Sequence, residues 1–332
     1  MFGIYNQKNT IILMGSFPPP IGGVSVYLDR LYRLLSSNGY KVLKWDISKG
    51  KINFYLDWLK FFAILFLRRD YTLHLHALNT KYLVACIIIK YFTNAELILT
   101  NHNVRFLETC NSTNFLLLKI LTKKLNKLIV VNPKIIDTYK ENGFVIPNEI
   151  KTLNAFLPPP IEDENKILDS YSEETLNFFN RQNPILISNA YKISFYNNKD
   201  LYGLDLCIEL TSMIKETYPS IGFVFALANS DSEINYLRKM KERIFQLALE
   251  ENFHFISNQQ ELWPLIKMSD LMIRATNTDG DSVSIREALY LNCPVVASDI
   301  VSRPNNCTLF RNRDISDLFK KVNEVLNAHV ST

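Results

Sequence analysis

Cysteine is scarce and unpatterned: Cys86, Cys110, Cys207, Cys293 and Cys307 are the five in 332 residues, with no Cys-x-x-Cys spacing. An odd, scattered set excludes a disulfide framework and a cysteine zinc site, and it suits a reducing compartment. Long hydrophobic runs are missing as well. A run such as residues 61–67 falls far short of the ~18 apolar residues a spanning helix needs. The first residues show no basic region followed by an apolar run and a small-residue cleavage site. The expectation is therefore a cytoplasmic protein, soluble or held only at the inner face of a membrane. There is no Arg-rich segment and no recognised reading motif, so no nucleic-acid partner is expected. Tandem repeats and low-complexity tracts are absent too.

What is present is an ordinary globular composition, 47% hydrophobic and 21% charged, in a length that suggests two domains. The net charge of +4 hides an asymmetry: residues 1–155 hold 20 Lys and Arg against 9 Asp and Glu, and residues 156–332 hold 17 against 24. One half is set to face something anionic, for which a membrane surface or a phosphate-bearing substrate fits better than nucleic acid.

Short apolar runs alternate with helical periodicity along the whole chain. Residues 11–15 read as a strand, and from Val24 onward Tyr27, Leu31, Leu34 and Leu35 share a helical face. Strands follow at 40–45, 73–76, 96–100 and 127–131, with helices at 80–91 and 116–125 between them. At 156–174 the pattern stops in a Pro-rich, acidic stretch that reads as a linker or domain edge. It then resumes with strands at 184–188, 222–228, 254–257, 271–275 and 294–298. Helices are expected at 204–215, 234–249 and 317–328, and one between the last two strands. The expected fold class is α/β, two doubly wound parallel sheets in domains 1–158 and 159–332, with the closing helix a candidate to cross back. Such sheets collect ligands at the carboxyl ends of their strands, so the natural site is a cleft where the two domains face.

Several residues stand out. Gly22 and Gly23 precede a helix, where the backbone can approach a ligand and free N–H groups can meet a phosphate, unless they form a plain strand-to-helix turn. His74 and His76 share a face of one strand, as a metal pair without a visible third ligand or as satisfied core histidines. His102 follows a strand at its carboxyl end and is expected to touch substrate. Residues 57–69 (DWLKFFAILFLRR) are apolar on nearly every side. They form either a helix packed on the sheet or an interfacial segment, with Trp58, Phe61 and Phe62 inserted and Arg68 and Arg69 beside anionic headgroups. Lys119, Lys123, Lys124 and Lys127 form a solvated face or the electrostatic half of that contact.

The densest stretch is NTDGDSVSIREALYLNCPVV, residues 277–296. Asp279 and Asp281 have the spacing of a metal pair, Asp279-Gly280 is a turn pair, and Ser284-x-x-Glu287 has the spacing of a capping box. Those rules leave Asp279 unexplained, and with it Arg274, a charge inside an apolar strand that needs a partner. Ser282, Val283 and Ser284 would present consecutive N–H groups to a diphosphate.

As an ordered set these motifs resemble the GT-B glycosyltransferases of family four, the retaining nucleotide-sugar enzymes of glycan assembly. Asp279, seven residues, then Glu287-Ala288 is similar to the family's acidic motif, with Asp in place of its first Glu. GSFPPPIGGVSVYLDRLYRLLSSNGYKV, LHLHALNTKYL, LILTNHNVRF, SDLMIRATNTDGDS and LNCPVVASD look like its other segments, across most of residues 11–325.

The resemblance implies two Rossmann-like domains, with the donor held mainly by the second and the acceptor by the first. It implies sugar transfer with retention to a lipid-linked oligosaccharide, in surface polysaccharide or O-antigen-type synthesis. Asp279 would bind donor sugar hydroxyls, Glu287 the ribose and His102 the region of the transferred sugar. Gly22, Gly23, Gly280, Ser282, Val283 and Ser284 would lie along the donor. No metal or other cofactor is implied, and a UDP-sugar is favoured over a GDP-sugar. The family's Arg and Lys after the first strand of the second domain are missing from ILISNAYKISFYNNKDLYGLDL. Lys192, Lys199 or Arg274 are the candidates to replace that charge. The departure also keeps open a non-catalytic relative that only binds glycan or nucleotide sugar.

Overall fold

A computed structural model describes residues 2–19, 21–47, 58, 59, 62, 70–102, 107, 110–154, 156–257, 260–279 and 282–330. The chain divides into two units, Met1–Leu157 and Pro158–Thr332.

The first unit contains β1 (Thr10–Gly15), α1 (Gly23–Ser37), β2 (Val42–Asp46), β3 (Tyr71–Leu75), α2 (Thr80–Phe92), β4 (Glu96–Asn101), α3 (Ser112–Thr122), β5 (Lys127–Val130), α4 (Lys134–Glu141) and β6 (Glu149–Thr152). Its six strands are all parallel, in the order β2-β1-β3-β4-β5-β6. Every residue of β1 and β3 is buried, as a sheet covered on both faces requires; β1 accordingly reads as a nearly continuous apolar run, while β3 buries Thr72 and His74 among its apolar residues. Asparagines start two of the covering helices: Asn79 accepts from Tyr82 N–H at 3.3 Å and Asn111 from Asn114 N–H at 2.8 Å.

The second unit contains α5 (Glu164–Leu168), α6 (Glu173–Arg181), β7 (Ile185–Lys192), the hairpin β8 (Phe195–Tyr196) and β9 (Lys199–Asp200), α7 (Leu204–Lys215), β10 (Gly222–Asn229) and α8 (Ile234–Gln246). It continues with β11 (Phe253–Ile256), α9 (Trp263–Lys267), β12 (Leu271–Arg274), α10 (Val283–Tyr290), β13 (Val295–Ser298), β14 (Thr308–Phe310) and α11 (Ile315–Val330). Six of its strands form a second parallel sheet, β11-β10-β7-β12-β13-β14. One core layer lies under α7 and α11, with Phe223, Phe225, Leu318 and Val322. The other lies under α6, α9 and α10, with Phe178, Leu265 and Ile285.

Each sheet reverses its direction of growth once, and ligands bind α/β sheets at such switch points. In the first unit the chain leaves β1 for β2 on one side and returns to β3 on the other. In the second it runs β7, β10, β11 and then returns to β12 beside β7.

Three local expectations change. The stretch 156–174 is not a bare linker, because Ile161–Leu168 and the start of α6 are helical. The Ser284–Glu287 capping box does not form: α10 begins at Val283 with Ser282 at its N-cap, so Ser284 already lies inside the first turn. The closing helix α11 packs on α7, β13 and β14 of its own sheet.

Candidate active site

In the second unit the β7/β12 switch point carries an ion cluster. Arg274 closes β12, and its Nε donates to Asp279 Oδ2 at 3.1 Å while Nη2 reaches Oδ1 at 3.4 Å. Its Nη1 donates to the backbone O and the Oδ1 of Asn189 on β7, at 3.1 and 3.2 Å. A second guanidinium comes from Arg303, beyond β13: Nη1 donates to Asp279 Oδ2 at 2.8 Å and Nη2 to Thr276 Oγ1 at 2.9 Å. Its Nε bonds Ser298 O at 3.1 Å. The side chains of Arg274, Asp279 and Arg303 are 9%, 12% and 2% exposed, so these charges interact with little solvent screening. Burial by itself would raise the Asp279 carboxyl, but Arg274 and then Arg303 outweigh it and hold the group down at about 2. Among the described residues, two guanidiniums surround one carboxylate, an excess of positive charge.

The helix α10 follows. Ser282 has extended backbone and offers no side-chain cap, so the N–H groups of the first turn have no intrahelical acceptor. The hydroxyls of Ser282 and Ser284 are 3.1 Å apart, and both residues are buried. Glu287 lies buried on the same helix. The loop ahead of α7 is built by Asp200, which accepts backbone N–H bonds from Tyr202, Gly203 and Leu204 and the Tyr236 hydroxyl at 3.0 Å. Gly203 is obligatory there. Its φ is +72°, and a Cβ would stand 2.5 Å from the Ala275 carbonyl oxygen. That close approach joins the α7 start to the end of β12. The face of Tyr202 lies 5.3 Å from the Arg274 guanidinium.

The corresponding place in the first unit holds a set of histidines. His76 N–H donates to Met14 O at 2.8 Å, seating it against the end of β1. Gly15 allows this: a Cβ there would lie 2.4 Å from Leu28 Cδ1 and 3.2 Å from His76 Cβ. His74 is bonded through Nδ1 to the Tyr5 hydroxyl at 2.6 Å and through Nε2 to Thr100 Oγ1 at 2.7 Å. His76 Nδ1 and His102 Nε2 are 2.9 Å apart, and the Tyr27 ring stands edge-on to His102 at 5.1 Å. Burial pushes His74 down to about 3 and His102 to about 4, and lowers His76 as well, so all three rings are neutral near pH 7.

The tautomers follow from one orphan atom. His76 Nε2 is buried with no hydrogen-bond partner among the described residues. A buried N–H without an acceptor costs more than an unused lone pair. His76 therefore carries its proton on Nδ1 and donates to His102 Nε2, which leaves the His102 proton on Nδ1. His74 is thus satisfied at both ring nitrogens and His76 at Nδ1 alone, and no group of three or more metal-ligating side chains occurs among the described residues.

Of the candidate cations, the fold brings Arg274 to Asp279 and Asn189. Lys192 is exposed at the end of β7 and Lys199 is exposed on the hairpin. Arg303 had no distinguishing signal in the sequence, since it lies on a loop beyond the motif. Gly22 is the N-cap of α1 and Gly23 its first residue. Gly22 N–H donates to Ser25 Oγ at 2.9 Å, and the space where a Gly22 Cβ would point is open. Trp58 and Phe62 are half-buried, and Trp58 packs edge-on against Trp45 with centroids 5.2 Å apart. These two side chains therefore fit the packed reading of their segment. Phe61, Arg68, Arg69, Gly280 and Asp281 lie outside the described residues.

Residues 180–328 match the family model for glycosyl transferases group 1. Solved structures similar to the chain include that of Anabaena Alr3699/HepE in complex with UDP-glucose, at 16% identity and TM-score 0.66, covering 98% of this chain and 92% of that one. Sucrose-phosphate synthase from Thermosynechococcus elongatus is similar at 12% identity and TM-score 0.65, covering 96% and 90%. A glycosyltransferase from Rickettsia africae matches at 16% and 0.61, covering 97% and 89%. No curated protein sequence matches the chain. The fold is that of the GT-B glycosyltransferases, and within the second unit residues 180–328 are similar to glycosyl transferases group 1.

Proposed function

We propose that the chain transfers a sugar from a nucleotide-sugar donor, a UDP-sugar in preference to a GDP-sugar, to a lipid-linked glycan acceptor with retention of configuration. The setting would be surface polysaccharide or O-antigen-type synthesis at the cytoplasmic face of a membrane. The observation that carries this reading is the net-cationic Arg274–Asp279–Arg303 cluster at the β7/β12 switch point, followed by the uncapped start of α10. Departure of the nucleotide builds negative charge on its diphosphate. Guanidiniums held in fixed positions and N–H groups aimed from a helix start stabilise that charge without reorganising during the reaction.

Asp279 would contribute by fixing the two arginines as well as by meeting a sugar hydroxyl. Glu287 would hold the ribose, and His102 would offer its Nδ1–H near the transferred sugar. The cation needed at the diphosphate is supplied by these arginines, so no metal is required in this scheme. Structures of the same fold solved with UDP and with UDP-glucose support the choice of donor.

The test is incubation with UDP- and GDP-sugars and lipid-linked acceptors in chelator, with the anomeric configuration of the product read by NMR. Product with the donor's configuration, and a donor affinity about 10-fold weaker in Glu287→Ala, are expected. Donor binding without turnover on any acceptor would establish the non-catalytic reading instead. If no donor binds and Glu287→Ala changes nothing, both readings fail.

A further inference from the structure

The helix α2 is apolar over most of its circumference, with Lys81 and Lys90 near its two ends; so broad an apolar surface normally marks a helix buried on most sides. Among the described residues one face is covered: Tyr82, Leu83, Ala85, Cys86 and Ile89 pack inward. Val84, Ile88, Tyr91 and Phe92 follow one another at helical spacing on the opposite face, and Tyr91 and Phe92 are 74% and 66% exposed. The neighbouring α3 extends the same surface with Leu116 and Ile120, also exposed. The two helices pack together, and the Thr80 hydroxyl at the start of one donates to Asn114 Oδ1 of the other at 2.6 Å. A contiguous patch of aliphatic and aromatic side chains on a protein surface marks an interaction site.

The charge around the patch selects the partner. Neither residues 71–95 nor residues 109–136 contain an Asp or Glu, whereas they carry Lys81, Lys90, Lys119, Lys123, Lys124 and Lys134; a further lysine, Lys127, is paired with Glu96 and Glu149. Lys123 is exposed just past the end of α3, and Lys124 Nζ stands 5.9 Å from the Tyr91 ring centroid. Aromatic rings and lysines bordering an aliphatic stripe are the composition that sits at a lipid headgroup boundary. A second copy meeting this face with its own would set like charges against each other. None of the described helices is long and apolar enough to cross a membrane, so contact through this surface would be peripheral.

We propose that the α2–α3 face docks on an anionic lipid bilayer, with Tyr91, Phe92, Leu116 and Ile88 in the headgroup region and Lys123 and Lys124 against lipid phosphates. This moves the membrane contact away from the segment around Trp58, whose ring is turned toward Trp45. The proposal deepens the lipid-linked acceptor reading and rests on it only for its purpose. Binding is measured without donor or acceptor, so failure of either reading is seen separately.

The experiment sediments the full chain with vesicles of phosphatidylcholine alone and of phosphatidylcholine with phosphatidylglycerol in equal parts, at low and high salt. Binding is expected to the anionic vesicles and to weaken with salt. Lys123→Ala with Lys124→Ala should weaken it about 30-fold. Tyr91→Ser with Phe92→Ser should weaken it about 10-fold or more even at low salt. Thermal unfolding confirms that these exposed substitutions leave the fold intact. No vesicle binding, or binding unaffected by both double substitutions, overturns the proposal. Self-association of the chain in analytical ultracentrifugation that the Tyr91/Phe92 pair abolishes, without vesicle binding, also overturns it and assigns the face to a second copy.

Discussion

The two units use the same sheet plan and put opposite chemistry at the same point of it. In the first, the switch between β1 and β3 is lined by His74, His76 and His102, neutral rings joined by hydrogen bonds. In the second, the switch between β7 and β12 holds Arg274, Arg303 and Asp279, fully charged and paired. Glycine makes room in both places, Gly15 beside His76 and Gly203 beside Ala275. Topology thus decides where polar groups gather, and the local partners decide whether they carry charge. A neutral set can present donors and acceptors to sugar hydroxyls, while a cationic set can meet a diphosphate.

Breaking the ionic cluster has the largest expected effect. Arg303→Ala removes a charge partner of the buried Asp279, for about 3 kcal/mol of stability in urea unfolding. Donor affinity by titration calorimetry should fall about 100-fold. Arg303→Lys should not restore it, because one ammonium cannot reach Asp279, Thr276 and Ser298 together.

Acid separates the two units. The folded-state pKa values of the histidines lie below the usual value of about 6.5, so the unfolded chain takes up protons there that the fold refuses. Stability of the first unit is complete above about pH 6.5 and is lost as pH falls toward about 4, by about 2 kcal/mol or more at pH 5. Asp279 behaves otherwise. Its folded-state pKa of about 2 lies below the ordinary value, so its contribution is present above about pH 3.9 and is lost only as pH falls through about 2. Hydrogen exchange resolved by peptide at pH 7 and pH 5 should therefore show loss of protection in β3 and β4 before β7 and β12. Equal loss in both sheets would contradict the comparison.

The two glycines sharpen it. Gly203→Ala should cost about 2 kcal/mol, since its Cβ would strike a backbone oxygen at a left-handed φ. Gly15→Ala should cost about 1 kcal/mol, because the end of the Leu28 side chain can shift. Thermal melts of both variants rank them, and the reverse order would show that the β1/β3 junction is the more rigid.

A further test addresses the histidine chain. In imidazole ¹⁵N NMR, His102 should be protonated at Nδ1. His76→Leu should shift it toward Nε2–H and lower kcat about 10-fold with KM little changed. His76→Asn keeps a donor near the former Nδ1 and should return most of the rate. An unchanged His102 tautomer in His76→Leu would end the assignment.

Much of this was legible beforehand because buried parallel strands write themselves as apolar runs between helical periodicities. The strands around residues 11–15, 73–76, 96–100 and 271–275 appear within a few residues of where the runs predict them. Arg274 was legible as a charge in an apolar strand that demanded a partner. Arg303 was not, because a single arginine on a loop carries no periodicity and no local partner. The Asp200 loop escaped for a similar reason. Its role depends on N–H groups presented by the turn to α7 and on Tyr236 of a different helix.

The amino-acid pattern by itself determined the α/β class, the succession of elements, and the placing of Asp279 and Glu287 around the start of one helix. Those properties follow from periodicity and from spacing within a few turns of chain. Tertiary structure alone decided that Arg303 shares Asp279 with Arg274 and that His76 sets the proton of His102. It also decided that α2 keeps half of its apolar surface uncovered. These are encounters between segments far apart in the chain or the outcome of burial, and only packing determines which groups lose water and which partners replace it.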